Sequence, residues 1–384
     1  MIFSPIDICI LTTLLICWFI QLFYYWVYLN KPYCYQQKVN KGKIAVYPAC
    51  PPVSVIIYAR NEARNLEKYL PAILNQNYPQ YEVIVVDDGS DDDTEIVIKQ
   101  LAVQNKHLYY TFIPPESKYI NRRKLSLTVG IKAAHCNNLL FLDADTYPIS
   151  PDWLGLMAQH FVRKTTVVLG FSILEKHPFR YAEYDYFFSN LQMMALALAN
   201  RAYAGNGRNL GYCKSELSWQ RIFSNFDLLE TGDDNSSPNE LPCENTVSLE
   251  LSPDSVTRVN MDKWWMWREL KMRRIETSSF HRKFSIIFWG VEKLSRMLFY
   301  FLFLFACVWL FPNWIVIGIV VVLFLTRFLT QWIVINRTTG ILKLPKFHFS
   351  LLISDFFQPF ANGYFYLYKT FHSKSKEYRR HGQR

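Results

Sequence analysis

Charge is scarce in this chain. Acidic and basic residues make up 19% of its 384 positions, below the quarter usual in soluble domains, while aromatics reach 17%. That balance points to a membrane protein carrying a globular part. The eight cysteines lie far apart with no Cys-x-x-Cys pair, which argues against a zinc site or a disulfide framework and for a reducing compartment. His135, His160, His177 and His281 show no metal-ligand spacing and read as structural. No Gly-x-Gly-x-x-Gly follows the first expected strand, which disfavours a dinucleotide-dependent oxidoreductase. Internal repeats and low-complexity tracts are also missing. What is in excess is positive charge. The net +10 sits mostly beside the apolar stretches, a placement that suits anionic lipid headgroups and not nucleic acid.

Ile8 to Asn30 are 23 consecutive uncharged residues, enough to cross a hydrocarbon layer of ~30 Å as a helix. No Lys or Arg precedes them and no small-residue cleavage site comes after, so an anchor is expected and not a signal peptide. Lys31, Lys38, Lys41 and Lys43 come next, which places the adjoining domain on the cytoplasmic side. Near the other end, Phe284 to Arg296 suits an interfacial helix. Met297–Phe311 and Trp314–Ile335 read as two spans joined at Pro312-Asn313, with Arg327 a buried polar contact between helices. Phe347 to Leu367 carries Asp355, Gln358, Pro359 and Asn362 and precedes a basic tail. A crossing would put that tail outside, so a re-entrant or interfacial segment is expected. The expected division is an anchor at 1–30, a basic linker at 31–49, a cytoplasmic domain at 50–275 and a membrane region at 276–384.

Between the membrane stretches, strand and helix alternate. Val53–Tyr58, Tyr81–Val86, Leu108–Ile113 and Asn138–Leu142 are apolar strand-like runs, and Asn65–Leu74, Thr94–Gln104 and Lys124–Ala134 have helical spacing. This is the pattern of an α/β domain with a mostly parallel sheet. Further on, helices are expected over Trp153–Phe161, Tyr181–Ala199 and Asp262–Arg274, and one strand over Val167–Ile173.

Ligands of such sheets bind at the carboxyl ends of the strands. Three polar clusters fall there: Ala59-Arg60-Asn61-Glu62, Asp87-Asp88-Gly89-Ser90 and Asp143-Ala144-Asp145. A fourth, Asp233-Asp234, lies in a later loop. Singly each is ordinary turn chemistry; four together are hard to explain as decoration. Two carboxylates one residue apart, as at Asp143 and Asp145, can hold Mg²⁺ together with phosphate oxygens.

The segments Val53–Glu62, Val85–Thr94 with its Asp-Asp-Gly-Ser, Arg123-Lys124-x-x-x-Leu127 and Leu142–Asp145 resemble, in order and spacing, a family 2 glycosyltransferase of the GT-A fold. The later part is similar to membrane-bound members such as cellulose, chitin and hyaluronan synthases. The resemblance implies inverting transfer from a nucleoside diphosphate sugar, a UDP- or GDP-sugar, to a lipid-linked or glycan acceptor. By motif position, Ala59 to Glu62, Asp87, Asp88 and Lys124 would contact the nucleotide. Asp143 would serve the nucleotide sugar and, with Asp145, hold Mg²⁺ or Mn²⁺. Asp234, or failing that Asp233, would be the general base. A catalytic carboxylate within reach of the acceptor hydroxyl is what such an attack needs. Gly207-Arg208-Asn209 resembles the loop before the acceptor site. The helix at Trp264–Arg274 stands where processive synthases carry Gln-x-x-Arg-Trp, but Leu270 and Arg274 replace the Gln and Trp. Lys271 and Arg273 could still bind the diphosphate and Trp267 could stack on an acceptor sugar, while long-chain processive synthesis is disfavoured. The expectation is an integral protein of a bacterial inner membrane with its catalytic domain cytoplasmic. A short polysaccharide synthase and a catalytically inactive membrane scaffold or nucleotide-sugar sensor are the alternatives.

Overall fold

The computed structural model describes residues 5–44, 50–114, 122–161, 165–175, 177, 179–216, 247–278, 281–311 and 313–381. The chain divides into two compact units, one made of Met1–Tyr35 with Arg282–Arg384 and the other of Gln36–His281.

The first unit is helical. Helix α1 (Pro5–Phe23) passes through a π-helical turn, Tyr24–Leu29, into α2 (Lys31–Asn40). Two helical stretches, Pro5–Asn40 and Trp314–Ile341, are long and apolar enough to cross a membrane. Glu292, Lys293 and Arg296 do not interrupt the helix. They lie inside one helix, Lys283–Trp309. The reason is internal pairing. Arg296 is fully buried and bonds Glu292 one turn away and Asp355 at 2.9 Å, so its charge is met by protein. The stretch expected to be re-entrant or interfacial is part of one continuous helix, Phe349–His381, which runs through Pro359. Asp355 and Gln358 both bond Arg296, and Asp355 also accepts from Arg327 and the Tyr300 hydroxyl. Arg327 is thus the buried interhelical contact the sequence suggested.

In the second unit the strands are β1 (Val53–Ala59), β2 (Tyr81–Asp87), β3 (Leu108–Phe112), β4 (Asn138–Asp143), β5 (Thr146–Pro148), β6 (Val167–Gly170), β7 (Ser172–Leu174), β8 (Leu210–Cys213), β9 (Val247–Glu250) and β10 (Thr257–Val259). Helices α3 (Ala63–Leu74), α4 (Thr94–Gln104), α5 (Arg122–Ala133), α6 (Trp153–Ala158), α7 (Arg180–Ala197) and α8 (Trp264–Ser278) alternate with them. The main sheet runs β3-β2-β1-β4-β8-β6-β9, and β5-β10-β7 form a second sheet. β1, β2, β3 and β4 are mutually parallel, while β8 runs antiparallel to both β4 and β6. β1 and β4 are buried almost end to end and apolar over Val55–Ile57 and Leu139–Leu142, because both their faces are covered. Helix α3 shows the matching one-sided pattern, burying Leu66, Tyr69, Leu70, Ile73 and Leu74 against the sheet side. Leu66, Leu70, Ile73 and Leu74 join Val55, Ile57, Val83, Leu140 and Trp153 in one core.

The single strand expected at Val167–Ile173 is two strands, one in each sheet. Gly170 explains the break. A Cβ there would meet the Asn209 side chain at 2.3 Å, and Asn209 Nδ2 donates to Phe171 O and Ser255 O at 2.9 Å each. The chain turns around an inserted asparagine, and only glycine leaves it room.

Candidate active site

Register assembles the site. β1 lies between β2 and β4, with Ala59 beside Asp87 and Tyr58 beside Asp143. Because all three strands run the same way, the residues just past their ends converge on one edge. There they border a cavity of about 510 Å³, lined among others by Arg60, Glu62, Asp88, Arg122, Arg123, Asp143, Asp145, Arg208, Trp265 and Arg273. That volume is within the range of small-ligand sites.

Asp88 is fully buried at the end of β2. It accepts from Arg122 Nε at 2.9 Å and from the Tyr58 hydroxyl at 3.0 Å, and Arg60 approaches to 3.9 Å. Asp87 points elsewhere, accepting from the Ser90 backbone N–H at 3.1 Å and from its hydroxyl at 2.5 Å. It shapes the turn and does not line the cavity. Asn61 has φ 55°, a left-handed conformation that asparagine tolerates, and its Oδ1 accepts from the Asp91 N–H at 2.8 Å. Ala59 is buried in β1. Of the first cluster, Arg60 and Glu62 reach the cavity.

Asp143 and Asp145 are each only 5–6% exposed. Burial alone would push the Asp143 carboxyl up; the Arg123 and Arg208 guanidinium groups outweigh it and hold the group below its ordinary range. Glu62 shows the opposite balance. Burial, reinforced by the Asp145 charge, pushes its carboxyl up to about 7, against the Asn65 amide that bonds it. Five arginines and five carboxylates line the cavity in all, so it is nearly neutral as it stands and has guanidinium groups to offer an anion.

No group of three or more His, Cys, Asp or Glu that could hold a metal ion occurs among the described residues. A divalent ion that takes one or two carboxylates and completes its shell from a diphosphate does not need such a group. Asp143 Oδ2 is buried and accepts no hydrogen bond, although Arg208 Nη2 lies 3.1 Å away. A carboxylate oxygen left in that condition, two residues from a second carboxylate, fits the expected ion.

Several expected contacts differ. Lys124 does not line the cavity; Arg122 and Arg123, from the first turn of α5, do. Lys271 is buried and paired with Asp185, so it is not placed for a diphosphate, whereas Arg273 lines the cavity. Trp267 is 1% exposed, between Tyr181 and Trp264, so it has no face for a sugar. The neighbouring Trp265, 53% exposed, lines the cavity instead. Asn209 is structural, also accepting from the Trp153 indole at 3.0 Å, and Gly207 is buried in the turn before β8. Arg208 alone of that loop enters the cavity. Sequence reading missed Arg122, Arg123, Trp265 and Glu269 as site residues, because helical spacing does not say which neighbour in a turn faces the cleft. Asp233 and Asp234 lie outside the described residues.

Residues 54–209 match the family model of glycosyl transferase family 2 and form a domain of that family with the α/β architecture described above. The glycosyltransferase AglE of Haloferax volcanii is 37% identical over 106 residues, 27% of this chain and 33% of its own length. A GalNAc(5)-diNAcBac-PP-undecaprenol beta-1,3-glucosyltransferase of Campylobacter jejuni is 33% identical over 95 residues, 25% of this chain and 30% of its own. The chain spans about a third of the length of these curated relatives. A mannosyltransferase of Pyrobaculum calidifontis, solved with GDP-Man and Mn²⁺, superposes with a TM-score of 0.47 at 17% identity, covering 73% of this chain and 87% of that one.

Proposed function

We propose that this protein transfers a sugar from a nucleoside diphosphate sugar, UDP- or GDP-linked, to a lipid-linked acceptor at a membrane, with inversion at the anomeric carbon. The observation that carries the reading is the convergence of Asp88, Asp143 and Asp145 with arginines from four other segments on the carboxyl edge of parallel strands. In this reading Asp88, held by Arg122 and Tyr58, receives the nucleoside. Arg123 and Arg273 face the diphosphate, where guanidinium groups bind phosphate oxygens in pairs. Asp143 and Asp145 would hold Mg²⁺ or Mn²⁺, which when bound supplies positive charge against the departing diphosphate. Trp265 offers an apolar face at the rim. Asp234, or Asp233, takes the proton from the acceptor hydroxyl as it attacks; one base suffices for a single displacement.

A lipid-linked acceptor is supported by the apolar helices that continue the chain on either side of the domain, and by the polyprenyl-linked acceptor in the name of the Campylobacter relative. Lys31, Lys38, Lys41 and Lys43 favour a cytoplasmic catalytic domain on an integral protein of the inner membrane.

The test is a panel of UDP- and GDP-sugars offered to the detergent-purified protein with Mn²⁺, followed by calorimetry and by donor hydrolysis. Binding of one nucleotide class that is lost with EDTA is expected. Asp234→Asn should keep that binding and lose transfer; turnover retained in both Asp234→Asn and Asp233→Asn would remove these residues from the mechanism. Failure of every nucleotide to bind would sink the reading.

A further inference from the structure

One guanidinium spans both carboxylates of the Asp143-x-Asp145 pair. Arg208 donates from Nε to Asp145 Oδ1 at 3.1 Å and from Nη2 to Asp145 Oδ2 at 3.0 Å. The same Nη2 lies 3.1 Å from Asp143 Oδ2. Arg208 is itself 8% exposed, so these contacts form where water screens little. Its backbone is fixed from both sides. The Arg208 N–H donates to Asn206 Oδ1 at 3.2 Å, and its carbonyl accepts from Thr257 Oγ1 at 2.9 Å. The Asn206 amide is bonded in turn to Ser172, Tyr186 and Asn190 at 2.8–3.0 Å. The loop is held firmly enough to aim one side chain.

We propose that Arg208 is a positioning residue that serves as a built-in counter-cation for the carboxylate pair. With Arg123, which bonds Asp143, it offsets the two charges while the cleft holds no nucleotide, and it disfavours a divalent ion arriving alone. It yields those oxygens when a nucleoside diphosphate enters with the ion. The inference rests on the reading of Asp143 and Asp145 as metal-holding residues. Its physical basis is charge. Two carboxylates buried side by side need a counter-charge, and a cation already there opposes a second one. A diphosphate changes both sides of that balance. Its oxygens add ligands for the ion and also accept the guanidinium hydrogen bonds that Arg208 gives up. Ion and nucleotide then bind as a coupled pair, each raising the affinity of the other by the same factor.

The experiment is a Mn²⁺ titration of the full-length protein in detergent, followed by electron paramagnetic resonance of free Mn²⁺, with and without UDP or GDP. Wild type should bind Mn²⁺ at least about tenfold more tightly with its nucleotide present, since removal of a charge at this distance is worth one or more powers of ten. Arg208→Gln should tighten nucleotide-free Mn²⁺ binding by about tenfold and shrink the coupling; mere loss of structure would weaken binding. Arg208→Lys, which keeps the cation but not the two-pronged contact with Asp145, should fall between wild type and Arg208→Gln. Unchanged or weaker nucleotide-free binding in folded Arg208→Gln overturns the counter-cation role while leaving the metal reading intact. Equal wild-type affinity with and without nucleotide overturns it without any variant. Wild type that binds nucleotide but no Mn²⁺ in either condition, indistinguishable from Asp145→Asn, overturns the metal reading and the inference with it.

Discussion

Lys271 offers the sharpest test, because sequence and structure assign it different work. By motif position it would touch a diphosphate; in the fold it is buried beside Asp185, whose side chain is 1% exposed. Lys271→Met removes the cation and leaves a carboxylate without its partner inside the protein. Breaking a buried pair this way costs about 3–5 kcal/mol. For a unit the size of Gln36–His281, each kcal/mol moves the melting midpoint by about 2–4 °C. The expected loss is therefore between ~6 and ~20 °C. Replacing both partners, Lys271→Met with Asp185→Leu, should recover most of it, since an apolar pair of similar volume is close to neutral. Nucleotide affinity of the double variant, measured by calorimetry well below its midpoint, should stay within about twofold of wild type. The refuting result is a Lys271→Met protein that melts within about 1 °C of wild type yet loses nucleotide binding tenfold or more. That would place Lys271 at the diphosphate after all.

The two neighbouring tryptophans should separate cleanly. Trp267→Ala is expected to lose about 3–5 kcal/mol of stability; Trp265→Ala should melt normally and lower kcat/KM, and the reverse pattern would exchange their roles. Glu62 should make stability pH-dependent. Its folded pKa of about 7 lies above the ordinary 4.5, so the folded state binds the proton more tightly, and stability falls as pH rises from about 4.5 to 7. Urea unfolding in EDTA should show Glu62→Gln more stable than wild type by about 3 kcal/mol at pH 8, with the gap closing towards pH 5; a constant gap would contradict the buried-carboxyl account. In the helical unit, Asp355→Ala leaves two buried arginines short of an acceptor and should cost about 3–5 kcal/mol. Normal detergent melting would show the Arg296–Asp355–Arg327 contacts to be unimportant.

Much of the α/β domain was written along the chain. The apolar runs at Val53–Tyr58, Tyr81–Val86 and Asn138–Leu142 end in acids or lead into them, and each became a parallel strand delivering those acids to one edge. Period and composition are local properties, so a chain read residue by residue carries them. The mixed sheet was less legible, because the turn at Gly170 depends on a side chain 39 positions later, Asn209. The helical unit was less legible for a related reason. Glu292, Arg296 and Asp355 look like interruptions until the fold shows that they neutralise one another.

The sequence by itself determined that four acidic clusters exist, that three of them close apolar strands, and that apolar helices flank them. Only the tertiary structure decided which of two nearby residues faces the cleft: Asp88 and not Asp87, Arg123 and not Lys124, Trp265 and not Trp267. It also decided that Arg208 bridges Asp143 and Asp145, 65 and 63 residues away in the chain. Side-chain direction within a turn, and charge pairing across distant strands, come from packing. No local pattern encodes either.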